Sequence, residues 1–445
     1  MQKEKKLQRI AWKLSRLTSN VASVRYRCLL PAKFLENHGV QSTFFQSSDA
    51  IDFSCFDAIV FVKCFTEYDY HLAQKAQASG VKVFLDICDN LFFVNHETKK
   101  YSFQYKFFLK MAEIADKVFC PTEELKSVLA QKLPVAKICV LPDPIEEKHH
   151  SYEFAQKIPR FYFSRIFHSG RLAIPLLYFL RLTKVASFRL RVRPLVMRVV
   201  DLLFAAIDTM IGLLTSILAR LIVWTLPGSV AHAFRSETSE SGGAKKIRWV
   251  DEKDLKKPVI GWFGNSGTAG IFGLSDLQLL DQDLQKLCQQ RQATLLVVSD
   301  SPAQMESLSH LALNVCFVKW DATTIYDAID KMDVVVLPNR KNEFSICKSP
   351  NRAVFSLLLG KPVVLTSNQS NEFLGENVQR AEDWFSAVSE YLDNPQKVTN
   401  HVEGSRRLIF QTLAPEILGQ KWFDQLSLAK KQQEFNSQAV HVVYP

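Results

Sequence analysis

The 445-residue chain is poor in glycine, with 16, and in charge, with 22% Asp, Glu, Lys and Arg. The first excludes collagen-like and Gly-rich low-complexity classes; the second, beside 47% hydrophobic residues, excludes a disordered chain. Nine cysteines lie scattered between Cys28 and Cys347 without a C-x-x-C pair, which argues against a zinc knuckle or a thioredoxin-type redox site. An odd, unpatterned set reads as reduced thiols of a cytosolic protein. Lys13 and Arg16 interrupt the first apolar run, so no secretory h-region is expected. No acidic pair or histidine cluster has ligand spacing, so no metal is expected. The Gly-rich stretch is not G-x-G-x-x-G and has no acidic residue about twenty positions on, which lowers a dinucleotide reading.

What is present is a double series of apolar runs separated by helical patterns. The first comprises strands at Arg9 to Leu14, Ala58 to Val62, Val81 to Leu85, Lys117 to Cys120 and Lys137 to Leu141. Its helices fall near Tyr26 to His38, Tyr70 to Ser79, Lys106 to Ile114 and Glu123 to Gln131. The second has strands at Val259 to Phe263, Thr294 to Val298, Val334 to Leu337 and Pro362 to Leu365. Continuous apolar strands between amphipathic helices predict α/β architecture: two doubly wound, Rossmann-like domains with parallel sheets covered on both faces. The expected divisions are 1–150, an insert and linker at 151–250, and 251–445 with C-terminal helices.

The insert holds most of the net charge. Ten Lys or Arg against Asp201 and Asp208 between Arg160 and Trp224 give +8 of the chain's +10. Val185, Phe188, Val192, Leu195, Val199 and Leu202 recur at helical spacing; Lys184, Arg191 and Arg198 form another stripe, and Pro194 predicts a kink. Such a basic amphipathic helix suits an anionic membrane surface, while nucleic-acid readers mix Lys and Arg with polar residues, so no nucleic acid is expected. Twelve Leu, Ile, Phe and Val between Leu202 and Trp224 would offset about +3 kcal/mol for Asp208 in a bilayer. The companion segment, with Arg181, Lys184, Arg189, Arg191, Arg193 and Arg198, cannot cross, so in-plane or re-entrant binding is expected. A helical pair packed on the protein's own core is the competing reading.

Two segments are candidates for chemistry. Gly264-Asn265-Ser266-Gly267 follows an apolar strand, where glycines would let backbone N–H groups approach an anion; the plain alternative is a tight strand-to-helix turn. Lys348-Ser349-Pro350-Asn351-Arg352 precedes an apolar helix, with Ser349 expected as N-cap and Pro350 as first helical residue. Free amides and two cations there suit a phosphate; an ordinary capped helix with solvated cations is the alternative. In the first series Asp86 and Asp89 follow the third of these strands, where a carboxylate facing a cleft would deprotonate a hydroxyl or merely cap a turn.

The order of these features resembles the group 1 nucleotide-sugar glycosyltransferases of the GT-B fold. The resemblance rests on Ser23-Val24-Arg25-Tyr26-Arg27, Ala115-Asp116-Lys117-Val118-Phe119-Cys120-Pro121-Thr122, Val140-Leu141-Pro142-Asp143-Pro144, Met332-Asp333-Val334-Val335-Val336-Leu337-Pro338 and Gly360-Lys361-Pro362-Val363-Val364. It covers roughly 7–145 and 256–400. By this resemblance the donor diphosphate lies near Gly264, Asn265, Gly267, Lys348, Ser349, Asn351 and Arg352. Its base lies near Lys319-Trp320-Asp321, with Trp320 as a stacking surface or simply a core residue.

The resemblance further implies transfer of a sugar from a nucleotide-diphosphate donor to a glycan or lipid-linked acceptor, without a cofactor, in the cytoplasm at the inner membrane face. Retaining members carry two glutamates at positions filled here by Cys347 and Phe355; Glu343 is only a shifted substitute. A catalytically silent protein that binds a nucleotide sugar or a partner at the membrane is therefore the second expectation.

Overall fold

The computed structural model describes residues 7–47, 51–93, 104–157, 247–268 and 270–428. The first sheet contains β1 (Arg9–Leu14), β2 (Gln41–Phe45), β3 (Ala58–Val62), β4 (Lys82–Asp86), β5 (Lys117–Cys120) and β6 (Ile138–Val140), in the order β2-β1-β3-β4-β5-β6. Every neighbouring pair is parallel. Burial on both faces explains the apolar runs: all five residues of β3 are buried.

Helices return the chain between these strands. Helix Glu67–Ala78 begins with a reciprocal cap in which Thr66 accepts from the Asp69 amide and the Asp69 carboxylate accepts from the Thr66 amide. The helical run after β1 is not regular: Ala22–Val24 and Leu30–Glu36 flank a π turn, Arg25–Leu29. Such turns are often found at functional sites, and this one buries Arg25 and Arg27.

The second sheet contains β7 (Arg248–Trp249), β8 (Val259–Gly264), β11 (Thr294–Ser299), β12 (Asn314–Lys319), β13 (Val334–Leu337), β14 (Val363–Leu365) and β15 (Gln379–Arg380); β9 (Gly267–Thr268) and β10 (Phe272–Gly273) form a separate hairpin. Its order is β15-β14-β13-β8-β11-β12-β7, again parallel throughout. Separate apolar clusters cover its two faces, one centred on Phe263, Tyr326 and Phe355, the other on Trp262, Leu295 and Trp384. The expected pair of doubly wound parallel sheets is therefore present.

One helix departs from the sequence reading. Helix Pro415–Leu428 packs on the first sheet: Trp422 lies 5.8 Å from Trp12 and 5.1 Å from Phe119, ring centre to ring centre, and Trp422 and Leu426 join that sheet's core. Lys82 and Lys117 donate to the Leu426 carbonyl and the Gln425 side chain. This helix thus ties the second half of the sequence back to the first sheet.

In open α/β sheets the carboxyl ends of strands at a topological switch point form a crevice. The first sheet switches between β1 and β3, whose end is followed by Lys63. The second switches between β8 and β13, at Gly264 and Asn339.

Candidate functional site

The Gly-rich loop after β8 turns back as a hairpin and does not enter a helix. Gly267, at φ +74°, sits so close to β10 that a Cβ would lie 2.2 Å from the Phe272 carbonyl oxygen. The expected free amides are occupied: the Gly267 N–H donates to Asn265 Oδ1 at 2.7 Å and the Ser266 N–H to Asp300 Oδ1 at 2.6 Å. Asn265 and Gly267 thus shape the loop, and the expectation that the Gly267 amide is free to approach an anion is corrected. Gly264 has a different place. A Cβ there would lie 3.2 Å from Arg352 Nη1, so the missing side chain admits the guanidinium to the crevice.

Arg352 fills the β8/β13 switch point. It donates to the Phe263 carbonyl at 3.3 Å and to Asn339 Oδ1 at 3.0 Å, and lies 5.6 Å from the centre of the Trp262 ring. Nearby Asp276 is buried; one oxygen accepts from the Gly273 amide at 3.2 Å, and the other is 3.2 Å from Arg340 Nε without hydrogen-bond geometry. Burial pushes its carboxyl up to about 6 even against the pull of Arg352 and Arg340.

The helix start differs from expectation by one residue. Helix Asn351–Leu358 has Pro350 as its cap position and no side-chain cap. Ser349 does not cap. Its hydroxyl donates to Asp143 Oδ2 at 2.6 Å, and Asn351 Nδ2 donates to the same oxygen at 2.6 Å. A carboxylate from the first sheet's loop therefore lies against this helix start, the polarity such an end favours.

Lys348 turns to a second carboxylate. Its ammonium pairs with Asp89, which also pairs with Lys63, while the Phe344 and Phe272 rings lie 4.3 and 5.0 Å from the ammonium. Burial opposes ionisation, yet Lys348 and Lys63 hold the Asp89 carboxyl well below the usual carboxylate range. Two further hydrogen bonds join the same segment to the first sheet: Asn90 Nδ2 to the Glu343 carbonyl and Thr122 Oγ1 to the Cys347 carbonyl, both at 3.1 Å.

Asp86 has no open face. It is fully buried, and the Arg27 guanidinium grips both its oxygens from 2.7 to 3.1 Å. Arg27 also donates to Asp143 Oδ1 at 2.9 Å. The expectation that Asp86 serves as a proton acceptor is corrected: an acceptor hydroxyl cannot reach a carboxylate enclosed in this way. Asp89, 15% exposed in its side chain, lies at the surface of the crevice.

Trp320 is half-buried, and the Arg25 guanidinium covers one ring face at 4.9 Å. Arg25 is itself held by Glu146 at 2.6 Å. The rest of the Trp320 side chain packs against the apolar cluster around Phe263, Tyr326 and Phe355. At the two glutamate positions, Cys347 is buried with its thiol directed to the Glu343 carbonyl, and Phe355 packs against Phe263 and Tyr326. Neither offers a charged contact to a sugar hydroxyl.

Sequence reading missed Lys63, Arg27, Asp143, Asn339 and Asp276. Asp143 and Arg27 were visible as parts of recurrent motifs, and Lys63 as the residue after a strand; their partners come from other strands and other loops. Among the described residues no group of three or more His, Cys, Asp or Glu could hold a metal ion, and no helix is long and apolar enough to cross a membrane. Arg181, Lys184, Arg189, Arg191, Arg193 and Arg198 lie outside the described residues.

Residues 257–394, most of the second sheet, match the family described as Glycosyl transferases group 1. No curated protein matches by sequence. Similar solved structures include S. aureus TarM in complex with Fondaparinux, alpha-GlcNAc-glycerol and UDP, at 9% identity and TM-score 0.46 over 83% of this chain and 55% of that one. An E. coli structure described as trehalose-6-phosphate bound with UDP-2-fluoro glucose aligns at 8% identity and TM-score 0.49, over 94% and 99% of the two chains. The pneumococcal O-GlcNAc transferase GtfA in complex with UDP and GlcNAc aligns at 8% and 0.43, over 90% and 60%. The chain spans about half the length of TarM, 55%.

Proposed function

We propose that the protein transfers a sugar from a nucleoside-diphosphate donor to a glycan or lipid-linked acceptor at the cytosolic face of a membrane. The observation that carries this reading is Arg352 at the β8/β13 switch point, four residues after Lys348 and within the stretch that matches the Glycosyl transferases group 1 family. As the sugar–oxygen bond breaks, its electron pair leaves with the diphosphate, which gains one negative charge, and Arg352, Lys348 and the start of helix Asn351–Leu358 supply fixed positive potential for it. The donor base is assigned to the neighbourhood of the half-buried Trp320, along whatever edge Arg25 and the apolar cluster leave exposed. Among the carboxylates, Asp89 is the proposed proton acceptor because Asp86 is sealed.

A second reading has one specific observation in its favour. Phe355 and Cys347 are buried apolar groups where retaining relatives are expected to carry glutamates, which suits a protein that binds a nucleotide sugar without turning it over. The membrane face is proposed on the insert's composition, eight net positive charges among long apolar runs.

The two readings separate in one experiment. Thermal unfolding is followed with a panel of nucleoside diphosphates, since a ligand at 100 times its Kd adds about 2.7 kcal/mol. Donor hydrolysis or transfer is then assayed with whichever stabilises. Stabilisation with turnover supports the transferase; stabilisation without it supports the silent binder; no stabilisation by any diphosphate overturns both.

A further inference from the structure

We propose that Lys63 and Lys348 form an anion clamp across the two sheets, that Asp89 is its resident counter-ion, and that the donor's diphosphate binds by displacing Asp89 from it. This rests on the donor reading above and adds to it a residue, Lys63, and a competitor within the chain.

Three observations converge on the clamp. Lys63 follows β3 at the switch point of the first sheet, and its backbone is left-handed at φ +51°, one of two non-glycine residues so placed among those described. Such strain costs about 1–3 kcal/mol and persists where the surroundings over-determine it, as at ligand clamps. Here the Lys63 amide donates to the Asp86 carbonyl at 3.0 Å, which fixes the backbone at the carboxyl end of the sheet, and the side chain reaches Asp89 after the next strand. Lys348 comes from the second sheet, and its ammonium is placed by the Phe344 and Phe272 rings, 4.3 and 5.0 Å away. Finally, both ammoniums meet on one carboxylate while each lysine side chain stays about a third exposed, at 35% and 32%. A pair buried for stability alone would be closed to water. This one is open to an incoming anion.

A carboxylate is a single negative charge with two acceptor oxygens, and a diphosphate presents the same oxygens with more charge. The clamp therefore favours the diphosphate, and Asp89 keeps the lysines together until it arrives. The exchange also orders events at the proposed base. A carboxylate held by two ammoniums takes no proton, so Asp89 becomes able to accept one once the lysines have turned to the diphosphate.

Calorimetric titration of the full chain with UDP, and separately with inorganic pyrophosphate, tests this. Asp89→Asn removes the competitor and should tighten both by about tenfold, while Lys63→Gln should weaken both by about tenfold, the size of one charge-assisted contact. Glu343→Gln removes an exposed carboxylate from the same segment and should leave both affinities unchanged. Equal tightening by Glu343→Gln would mean a general field effect and overturn the clamp, as would an Asp89→Asn protein that binds no tighter. Asp89→Ser, with thermal unfolding as a folding check, repeats the test should the Asn variant be unstable. Unchanged affinity in the Asp89 and Lys63 variants, beside weakened binding in Arg352→Ala, overturns the clamp alone. Failure of the parent protein to bind either probe overturns the donor reading with it.

Discussion

Arg27 holds Asp86 through both carboxylate oxygens, Nε lying 3.1 Å from each and Nη2 2.7 Å from Oδ2, with neither side chain more than 1% exposed. The same guanidinium reaches Asp143, whose other oxygen receives Ser349 and Asn351. One chain of ionic contacts thus runs from beneath β4 to the start of helix Asn351–Leu358. Its buried end secures the fold and its outer end reaches Ser349 and Asn351.

Removing half of a buried pair leaves an uncompensated charge, which costs about 3–5 kcal/mol. Asp86→Asn is therefore expected to lower unfolding free energy in urea by about 3 kcal/mol, part of the Arg27 charge still being met by Asp143. Nucleoside-diphosphate affinity of the folded fraction should stay at the parent value. A stable variant with lost turnover would return Asp86 to a catalytic role.

Arg352 donates to two neutral oxygens, Phe263 O and Asn339 Oδ1, and burial pushes the Asp276 carboxyl near it up to about 6, so little of the Arg352 charge is neutralised by a hydrogen-bonded carboxylate. Arg352→Ala should weaken nucleoside-diphosphate binding by about 1.5–3 kcal/mol, the worth of hydrogen bonds to charged groups. Calorimetry on a variant with parent-like circular dichroism checks it. Equal affinity would remove the switch-point crevice from the donor site.

The strands were legible because their chemistry is local. Ala58–Val62, Lys117–Cys120 and Val334–Leu337 read directly from runs buried on both faces. β2 was missed for the complementary reason: Gln41, Ser42 and Thr43 are polar and leave only two apolar residues to signal a strand. β12 was passed over although Val315 to Val318 is an apolar run. The cationic helix start was legible as a cluster, whereas the orientation of its members was not. Ser349 was expected to satisfy the helix and instead satisfies Asp143, 206 residues away in sequence. Pairings of that range depend on both sheets being in place, and no window of sequence contains them.

The Gly267 turn offers a direct test of the hairpin. Gly267→Ala would put a Cβ 2.2 Å from the Phe272 carbonyl at a φ of +74°. The conformational strain alone is worth about 1–3 kcal/mol, and the steric overlap adds to it. Melting temperature should fall clearly. A variant as stable as the parent would show that the loop does not close on β10.

Asp276 makes stability depend on pH in a defined direction. Burial raises its folded pKa from 3.8 to about 6, so between those values the folded protein holds a proton that the unfolded chain has released. Its contribution to stability therefore falls as pH rises from about 4 to about 6 and is lower above that window. Asp276→Asn keeps an acceptor for the Gly273 amide but cannot titrate. The stability difference, variant minus parent, should grow across that window and level off near neutrality; a flat difference would place the Asp276 pKa near its ordinary value.

The insert is argued from sequence and tested on membranes. Each Lys or Arg near an anionic surface contributes about 1 kcal/mol, so several acting together outweigh the loss of orientational freedom, and inserted Leu, Ile and Phe add an apolar part that salt does not screen. Co-sedimentation with liposomes should rise with anionic lipid content and fall only in part at high salt. It should drop further when Arg189, Arg191, Arg193 and Arg198 become Gln, because that change removes charge while leaving the apolar stripe. Binding that resists both salt and carbonate would indicate a span, since a crossing segment is held by hydrocarbon contacts and not by headgroup charge. A protein that is monodisperse without detergent and ignores anionic liposomes at low salt would instead assign the basic stripe to a protein surface.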